Sequence, residues 1–393
     1  MNADVYKGDH HAGVITRYAD HVEFAYDQHY RGDPVASTLA VRPEPFSAPA
    51  GQLPAFFVGL LPEGRRLTAL RQLLKIAPDD DLSQLLAVGG DTIGDVRIIA
   101  SGAEPHDPPH IMEHRTWTDV DLADLFTRSI SSSHDAVAIP GVQPKISGRM
   151  ISFPAAGTTG PAIIKLDPPE YRHLVANESA MLGVAARLGY PAPTHQLVED
   201  HVGSTGLVID RFDRGIADGH LVRYPVEDGC QALGRYPADK YNLDTLEAIE
   251  GLAALCTAPA VAALQLVERF VFSYLVGDGD LHARNLSVWR RPDGVWEPSP
   301  WYDIVCTAMY GDMTLAAPLH GDSNVREIGR RRLVEATRVL GIPDRAAERM
   351  LDLQVPRIAT ALASALAQPP FTDVPDLPKI SRTLARRADL LIA

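Results

Sequence analysis

The most apolar stretch of the chain, residues 251–276, runs directly into Gly277-Asp278-Gly279-Asp280-Leu281-His282-Ala283-Arg284-Asn285 and leaves as Leu286-Ser287-Val288. An apolar helix therefore delivers two aspartates, a histidine and an asparagine into a short loop and continues as a strand. Polar groups packed so densely between two buried elements are costly unless they are paired or used. Pro259, Glu268 and Arg269 interrupt the apolar stretch, so it reads as a buried helix rather than a membrane span.

A length of 393 residues suggests two or three packed units. The 46% apolar and 22% charged residues are ordinary globular usage, which excludes a disordered or fibrous chain. Cys230, Cys256 and Cys306 are too few and too far apart for a disulfide framework or a cysteine-rich zinc site. A formal net charge of −13 argues against non-specific nucleic-acid binding through overall charge. The opening Met1-Asn2-Ala3-Asp4-Val5 does not resemble a signal peptide. The expectation is a soluble, cytoplasmic protein with no membrane partner.

Three units are expected, over residues 1–118, 119–215 and 216–393. In the first, Val22-Glu23-Phe24-Ala25-Tyr26 alternates as a half-buried strand. Helices are expected from Arg65 to about Ile76 and over residues 80–88, and a strand over residues 94–99. Residues 101–118 carry three prolines and three histidines and read as a linker. His106, His110 and His114 are spaced for metal on a helix, but Pro105, Pro108 and Pro109 disfavour that helix, so a solvated loop is the better reading. Short strands are expected around Ile139, Ile151 and Ile163, a helix from Glu178 to Leu188 stopped by Gly189, and a strand over residues 205–212. Beyond about residue 225 the chain reads as helical apart from one hairpin at Pro292-Asp293-Gly294. Residues 326–349 read as one amphipathic helix with a basic face, either solvated or turned toward a partner.

The spacing Asp280-x-x-x-x-Asn285 equals that of a protein-kinase catalytic loop, in which the aspartate orients the substrate hydroxyl and the asparagine binds Mg²⁺. Asp303, eighteen residues beyond Asn285, is a candidate second metal ligand, because hard Mg²⁺ prefers oxygen donors. Upstream, Lys165 lies on an apolar strand and Glu178 follows thirteen residues later, at the expected start of a helix, where it can hold the lysine in place. Gly141-Val142-Gln143-Pro144-Lys145 offers a glycine turn for anionic oxygens. Ile209-Asp210-Arg211-Phe212-Asp213 ends a strand between the two halves, the place for an adenine-contacting hinge. Each piece alone is common; the ordered set of loop, lysine, glutamate, hinge, Asp-x₄-Asn and aspartate is not.

Through these residues the chain resembles the HipA family, the serine/threonine kinase toxins of bacterial toxin–antitoxin pairs. Phe56-Phe57-Val58-Gly59-Leu60-Leu61-Pro62-Glu63-Gly64 is similar to its N-terminal signature and Pro140-Gly141-Val142-Gln143-Pro144-Lys145 to its phosphate loop. Asn177-Glu178, Glu227-Asp228-Gly229-Cys230-Gln231, Lys240-Tyr241, the stretch from Gly277 to Asn285, and Tyr302-Asp303 follow in family order. The resemblance implies an α+β, two-lobed kinase-like fold with a mixed N-terminal subdomain and a mainly helical C-terminal lobe. It implies ATP and Mg²⁺ as cofactors and a protein hydroxyl as acceptor. It further implies a helix-turn-helix antitoxin, operator DNA reached through that antitoxin, and an aminoacyl-tRNA synthetase or similar translation component as substrate.

The catalytic set is then Asp280, His282 and Lys165, with Asn285 and Asp303 for metal. Gly141, Gln143, Lys145, Lys165, Glu178, Asp210, Phe212, Asp213 and His282 form the nucleotide set. His282 and Arg284 read equally as phosphate contacts or as braces of the loop, and Asp213 as a ribose contact or as the partner of Arg211 or Arg214. Asp210 and Phe212 would meet adenine through backbone, with side chains more tolerant of change than that of Asp280. Ala138 stands where family members often carry a serine whose phosphorylation ejects the loop, and Pro144 where an acidic residue is usual. Both departures touch that self-inactivation switch, for which Ser147 or Ser131-Ser132-Ser133 are the available hydroxyls, and leave the transfer residues intact. The competing readings are a small-molecule kinase with the same geometry and a degenerate kinase acting as an antitoxin-binding co-repressor.

Overall fold

Alternation sets the strands of the N-terminal unit. In the computed structural model, which describes residues 1–106, 117–122, 124, 151–156, 160–168, 170–322 and 327–393, β1 (Asn2–Lys7), β2 (His10–Arg17), β3 (His21–Tyr26) and β4 (Phe46–Pro49) are joined by β5 (Val96–Ala100). They form an antiparallel sheet in the order β4-β3-β2-β1-β5. Ala3, Val5, Ile15, Val22 and Phe24 point inward along it, as a period of two requires. They pack on Phe56 and Phe57 of α1 (Ala55–Gly59) and on Leu82 and Leu85 of α3 (Asp81–Val88); α2 (Gly64–Leu74) lies between these helices in the chain. The Asp80 carboxylate accepts the Ser83 N–H and so starts α3.

The second unit is an antiparallel sheet of β6 (Ile151–Ala156), β7 (Pro161–Leu166), β8 (His195–Glu199) and β9 (Thr205–Asp210), in the order β6-β7-β9-β8. Helix α4 (Leu174–Arg187) packs against the Leu207 and Ile209 side of this sheet. It begins a turn earlier than the expected start at Glu178. The cause lies outside the helix: Asp167 accepts the backbone N–H groups of His173 and Val175, each at 2.8 Å, and so supplies the cap.

Past β9 the chain holds more strand than expected. β10 (Arg214–Ala217) and β11 (His220–Arg223) form a hairpin whose turn residues Asp218 and Gly219 both have positive φ, the backbone a two-residue turn demands. β12 (Val226–Asp228) pairs with β13 (Ser287–Arg290), and β13 pairs with β14 (Trp296–Pro298) across the anticipated hairpin. A three-residue strand is too short to show a period.

The rest is helical: α5 (Gly229–Ala232), α6 (Thr245–Leu255), α7 (Pro259–Val276), α8 (Arg330–Thr337), α9 (Asp344–Leu366) and α10 (Leu377–Ile392). The apolar stretch is two helices, broken before Pro259, which opens α7 where its missing N–H is harmless. Helix α7 is long and apolar enough to cross a membrane by composition alone. Its side chains Leu266, Val267, Phe270, Val271 and Leu275 are instead built into the core of the helical lobe. The single basic helix expected over residues 326–349 is divided: α8 stops at Thr337, Gly341 adopts a φ of 69°, and Pro343 precedes α9. His110 and His114 lie outside the described residues, and among the described residues no group of three histidine, cysteine or acidic side chains is arranged for a metal.

Candidate active site

Lys165 is delivered by β7, whose Ile164 and Leu166 are buried in the sheet, and its ammonium meets carboxylates from two other elements. Nζ lies 2.7 and 2.9 Å from the two oxygens of Glu178 on α4 and 2.8 Å from Oδ1 of Asp303 in the segment after β14. Burial works against the cation, yet Asp303 and Glu178 outweigh it and raise the lysine above its ordinary range. Burial pushes the fully enclosed Glu178 up to about 7, against the pull of Lys165. Burial also opposes the Asp303 charge, but Lys165 holds that carboxyl below its usual value. Two lobes thus close on one lysine.

Asp303 occupies the left-handed region, φ 56°. Such backbone costs about 1–2 kcal/mol for a residue with a Cβ and is best tolerated by aspartate and asparagine. Asn177, beside Glu178, secures the neighbouring segment: its Nδ2 donates to the Cys306 carbonyl at 3.1 Å and its Oδ1 accepts the Cys306 N–H at 2.9 Å. The sequence reading named Asn177 only as a companion of Glu178; the staple depends on a contact 129 residues away.

The polar loop begins where α7 ends at Gly277, whose φ of 76° closes the helix and whose missing Cβ would meet Ala308 and Leu384 at 3.0 Å. The Asp278 carboxylate accepts from Ser273 Oγ at 2.7 Å and from the Asp280 N–H at 3.0 Å, and its burial pushes it up to about 6 despite Arg269. Asp280 is 2% exposed. Its Oδ1 accepts from the Tyr241 hydroxyl at 3.4 Å, and its carbonyl accepts from Asn285 Nδ2 at 3.0 Å. With Nδ2 so used, Asn285 keeps its amide oxygen as a donor atom for a cation. His282 packs edge-on against the Tyr241 ring, centroids 5.1 Å apart. Burial, with Lys240 nearby, drives it down to about 3, so it is neutral at any physiological pH. Its Nδ1 is buried with no hydrogen-bond partner among the described residues. Any phosphate contact made by His282 would be that of a neutral ring.

Arg284 is a brace. Its Nε donates to Asp228 at 3.0 Å, its Nη1 pairs with Glu63 at 2.5 Å and its Nη2 donates to the Gly59 carbonyl at 2.5 Å. Asp228 in turn caps α5 through a reciprocal box with Gln231. Glu63, Lys240 and Tyr241 were visible in sequence only as motif members; nothing in their spacing announces that they meet.

The hinge residues divide. The Asp210 N–H is committed to the Thr194 carbonyl at 2.9 Å, which excludes it as a donor to a base. The Phe212 ring stacks on Tyr302 and meets Trp289 edge-on, each at 5.9 Å. Asp213 is 2% exposed and its carboxylate receives Arg211 Nε and Nη2, Arg214 Nη1 and the Gly94 N–H. Saturated in this way it is an arginine partner, and the ribose assignment is withdrawn. Asp91 and the Thr92 carbonyl complete this buried cluster from the N-terminal unit.

Burial opposes the Asp213 charge, but Arg211 and Arg214 bring the carboxyl down to about 2, from an ordinary 3.8. The lowered folded value means that the stabilisation is complete above 3.8 and is lost as pH falls toward 2, about 2 kcal/mol in all. Asp213→Ala is expected to cost more, about 3–5 kcal/mol, because Asp91 alone is then left to balance two buried arginines. Urea unfolding at pH 7 checks the second figure, and a smaller loss of stability between pH 4 and pH 2 in the variant than in the parent checks the first.

Gly141, Gln143 and Lys145, like Ala138 and Ser147, lie outside the described residues.

Residues 3–99 match the HipA N-terminal domain and residues 137–362 the HipA-like C-terminal domain. The serine/threonine-protein kinase toxin HipA of Shewanella oneidensis is 28% identical over 373 residues, covering 88% of this chain and 83% of that protein. The structure of HipA from Shewanella oneidensis MR-1, solved with HipB and its operator DNA, superposes with a TM-score of 0.73 at 25% identity and covers 99% of this chain and 96% of that one.

Proposed function

The chain belongs to the HipA family, and from that premise we propose that it is a serine/threonine-protein kinase acting as the toxin of a toxin–antitoxin pair. One observation supports this reading most strongly: Lys165, fixed by Glu178, reaches across to Asp303, whose charge acts on His282 of the Asp280–Asn285 loop.

ATP and Mg²⁺ fit the residues present. Asp303 offers a carboxylate held ionised and Asn285 an amide oxygen, the donor types that hard Mg²⁺ prefers. Mg²⁺ held by these two residues would supply positive charge against the negative charge that develops on phosphate oxygens. Lys165 neutralises phosphate oxygens, and Glu178 keeps the ammonium aimed. Asp280 orients the incoming hydroxyl and takes its proton. The neutral, orphaned Nδ1 of His282 has hydrogen-bonding capacity without charge, and Arg284 holds the loop's shape. Catalysis of this kind is chiefly positioning and charge stabilisation.

The acceptor is then a serine or threonine of a cytoplasmic protein, with a translation component such as an aminoacyl-tRNA synthetase the first to try. The partner is a helix-turn-helix antitoxin that carries the complex to operator DNA. The test is label transfer from γ-labelled ATP with Mg²⁺ in cell lysate, run beside sugar and aminoglycoside acceptors. Label on protein serine or threonine is the expected result. Label on small molecules alone replaces this reading with a small-molecule kinase, and absence of both transfer and calorimetric Mg·ATP binding replaces it with a non-catalytic co-repressor.

A further inference from the structure

The N-terminal unit meets the polar loop through a charged contact. Glu63, in the turn between α1 and α2, places Oε1 2.5 Å from Arg284 Nη1 and Oε2 2.7 Å from Lys240 Nζ. Both cations belong to the surroundings of Asp280: Arg284 lies within its loop, one residue before Asn285. Lys240 precedes Tyr241 and lies over its ring, 4.9 Å from the centroid. Tyr241 carries the hydrogen bond to Asp280 and the edge contact to His282. Burial opposes a charge on Glu63, yet Arg284 and Lys240 hold its carboxyl down at about 2, so the clasp is ionic at neutral pH.

The approach is close and specific. A Cβ at Gly59 would lie 2.9 Å from Gln231, and one at Gly229 would lie 2.7 Å from the Ala283 carbonyl. Gln231 Nε2 also donates to the Phe56 carbonyl at 3.3 Å. Helix α1 is thereby seated on α5, and α5 on the loop.

We infer that Glu63 is a positioning residue: by clasping Lys240 and Arg284 together, the N-terminal unit sets Tyr241 and the Asp280–Asn285 loop for transfer. This deepens the kinase reading and rests on it. Without the Glu63 charge, the two cations repel each other, and Lys240, whose ammonium lies over the Tyr241 ring, no longer anchors the donor of the long Tyr241–Asp280 bond. Lys165 keeps its bonds to Glu178 and Asp303.

The test is Glu63→Gln in the full chain, which keeps the side chain's shape and removes its charge. Amide hydrogen exchange is read at Gly279, Asp280 and Asn285, whose N–H groups are held by Thr307, Asp278 and the His282 carbonyl. Exchange there is expected to rise about tenfold and kcat to fall about tenfold, with KM for ATP within about twofold. Unchanged exchange overturns the inference. So does faster exchange with unchanged kcat, or a fall in kcat that comes with a raised KM and a lowered Tm, which would be general loosening. If the wild-type chain transfers no phosphate from ATP, the kinase reading fails and the exchange arm alone decides the clasp.

Discussion

Asp280→Ala is expected to lower phosphoryl transfer by about 10³-fold or more while Mg·ATP binding persists. A positioned base contributes about 10²–10⁴-fold, and Asp280 is the carboxylate proposed to orient the incoming hydroxyl. Stability should hardly change. The Asp280 side chain accepts a long bond from Tyr241, whereas the loop's folding contacts run through the Asp278 carboxylate, the Asn285 amide and the Arg284 brace. Label transfer from ATP, calorimetric Mg·ATP affinity and Tm together check this, and a Tm within about 3 °C of the parent is the expected control.

Asp303→Asn should act on a different step. Asparagine accepts the left-handed backbone that this position imposes, so the local fold survives. What disappears is the charge that faces Lys165 and would face the metal. Mg·ATP affinity is expected to fall about 100-fold and transfer to be lost, with Lys165 still paired to Glu178. A metal titration followed by calorimetry separates this variant from Asp280→Ala, which keeps its affinity.

Much of this site is legible in sequence because its residues break the pattern around them. Lys165 interrupts an apolar strand, Asp303 follows an apolar-flanked run, and the loop from Gly277 to Asn285 crowds polar groups between buried elements. Each anomaly is local, and local pattern is what a sequence displays. The hinge shows the limit: Asp213 sits where a ribose contact would, but its fate was decided by Arg211, Arg214 and Gly94, the last of these 119 residues away. The Glu63 clasp was hidden for the same reason, since its partners lie 177 and 221 positions downstream and none of the three breaks its local pattern. Fold boundaries failed where a cap came from outside the element, as Asp167 does for α4. They failed again where a glycine and a proline split one periodic run, as at Gly341 and Pro343 between α8 and α9. The strands β10, β11 and β12 are too short for periodicity to declare them.

The central claim is that Asn285 and Asp303 hold one divalent ion on nucleotide phosphates beside Lys165. A crystal structure with Mn²⁺ and a non-hydrolysable ATP analogue tests it directly through the metal's anomalous scattering. The peak is expected about 2.1 Å from the Asn285 amide oxygen and an Asp303 carboxylate oxygen, with phosphate oxygens reaching Lys165. A nucleotide bound elsewhere on the molecule, or an ion ligated by neither residue, would contradict it.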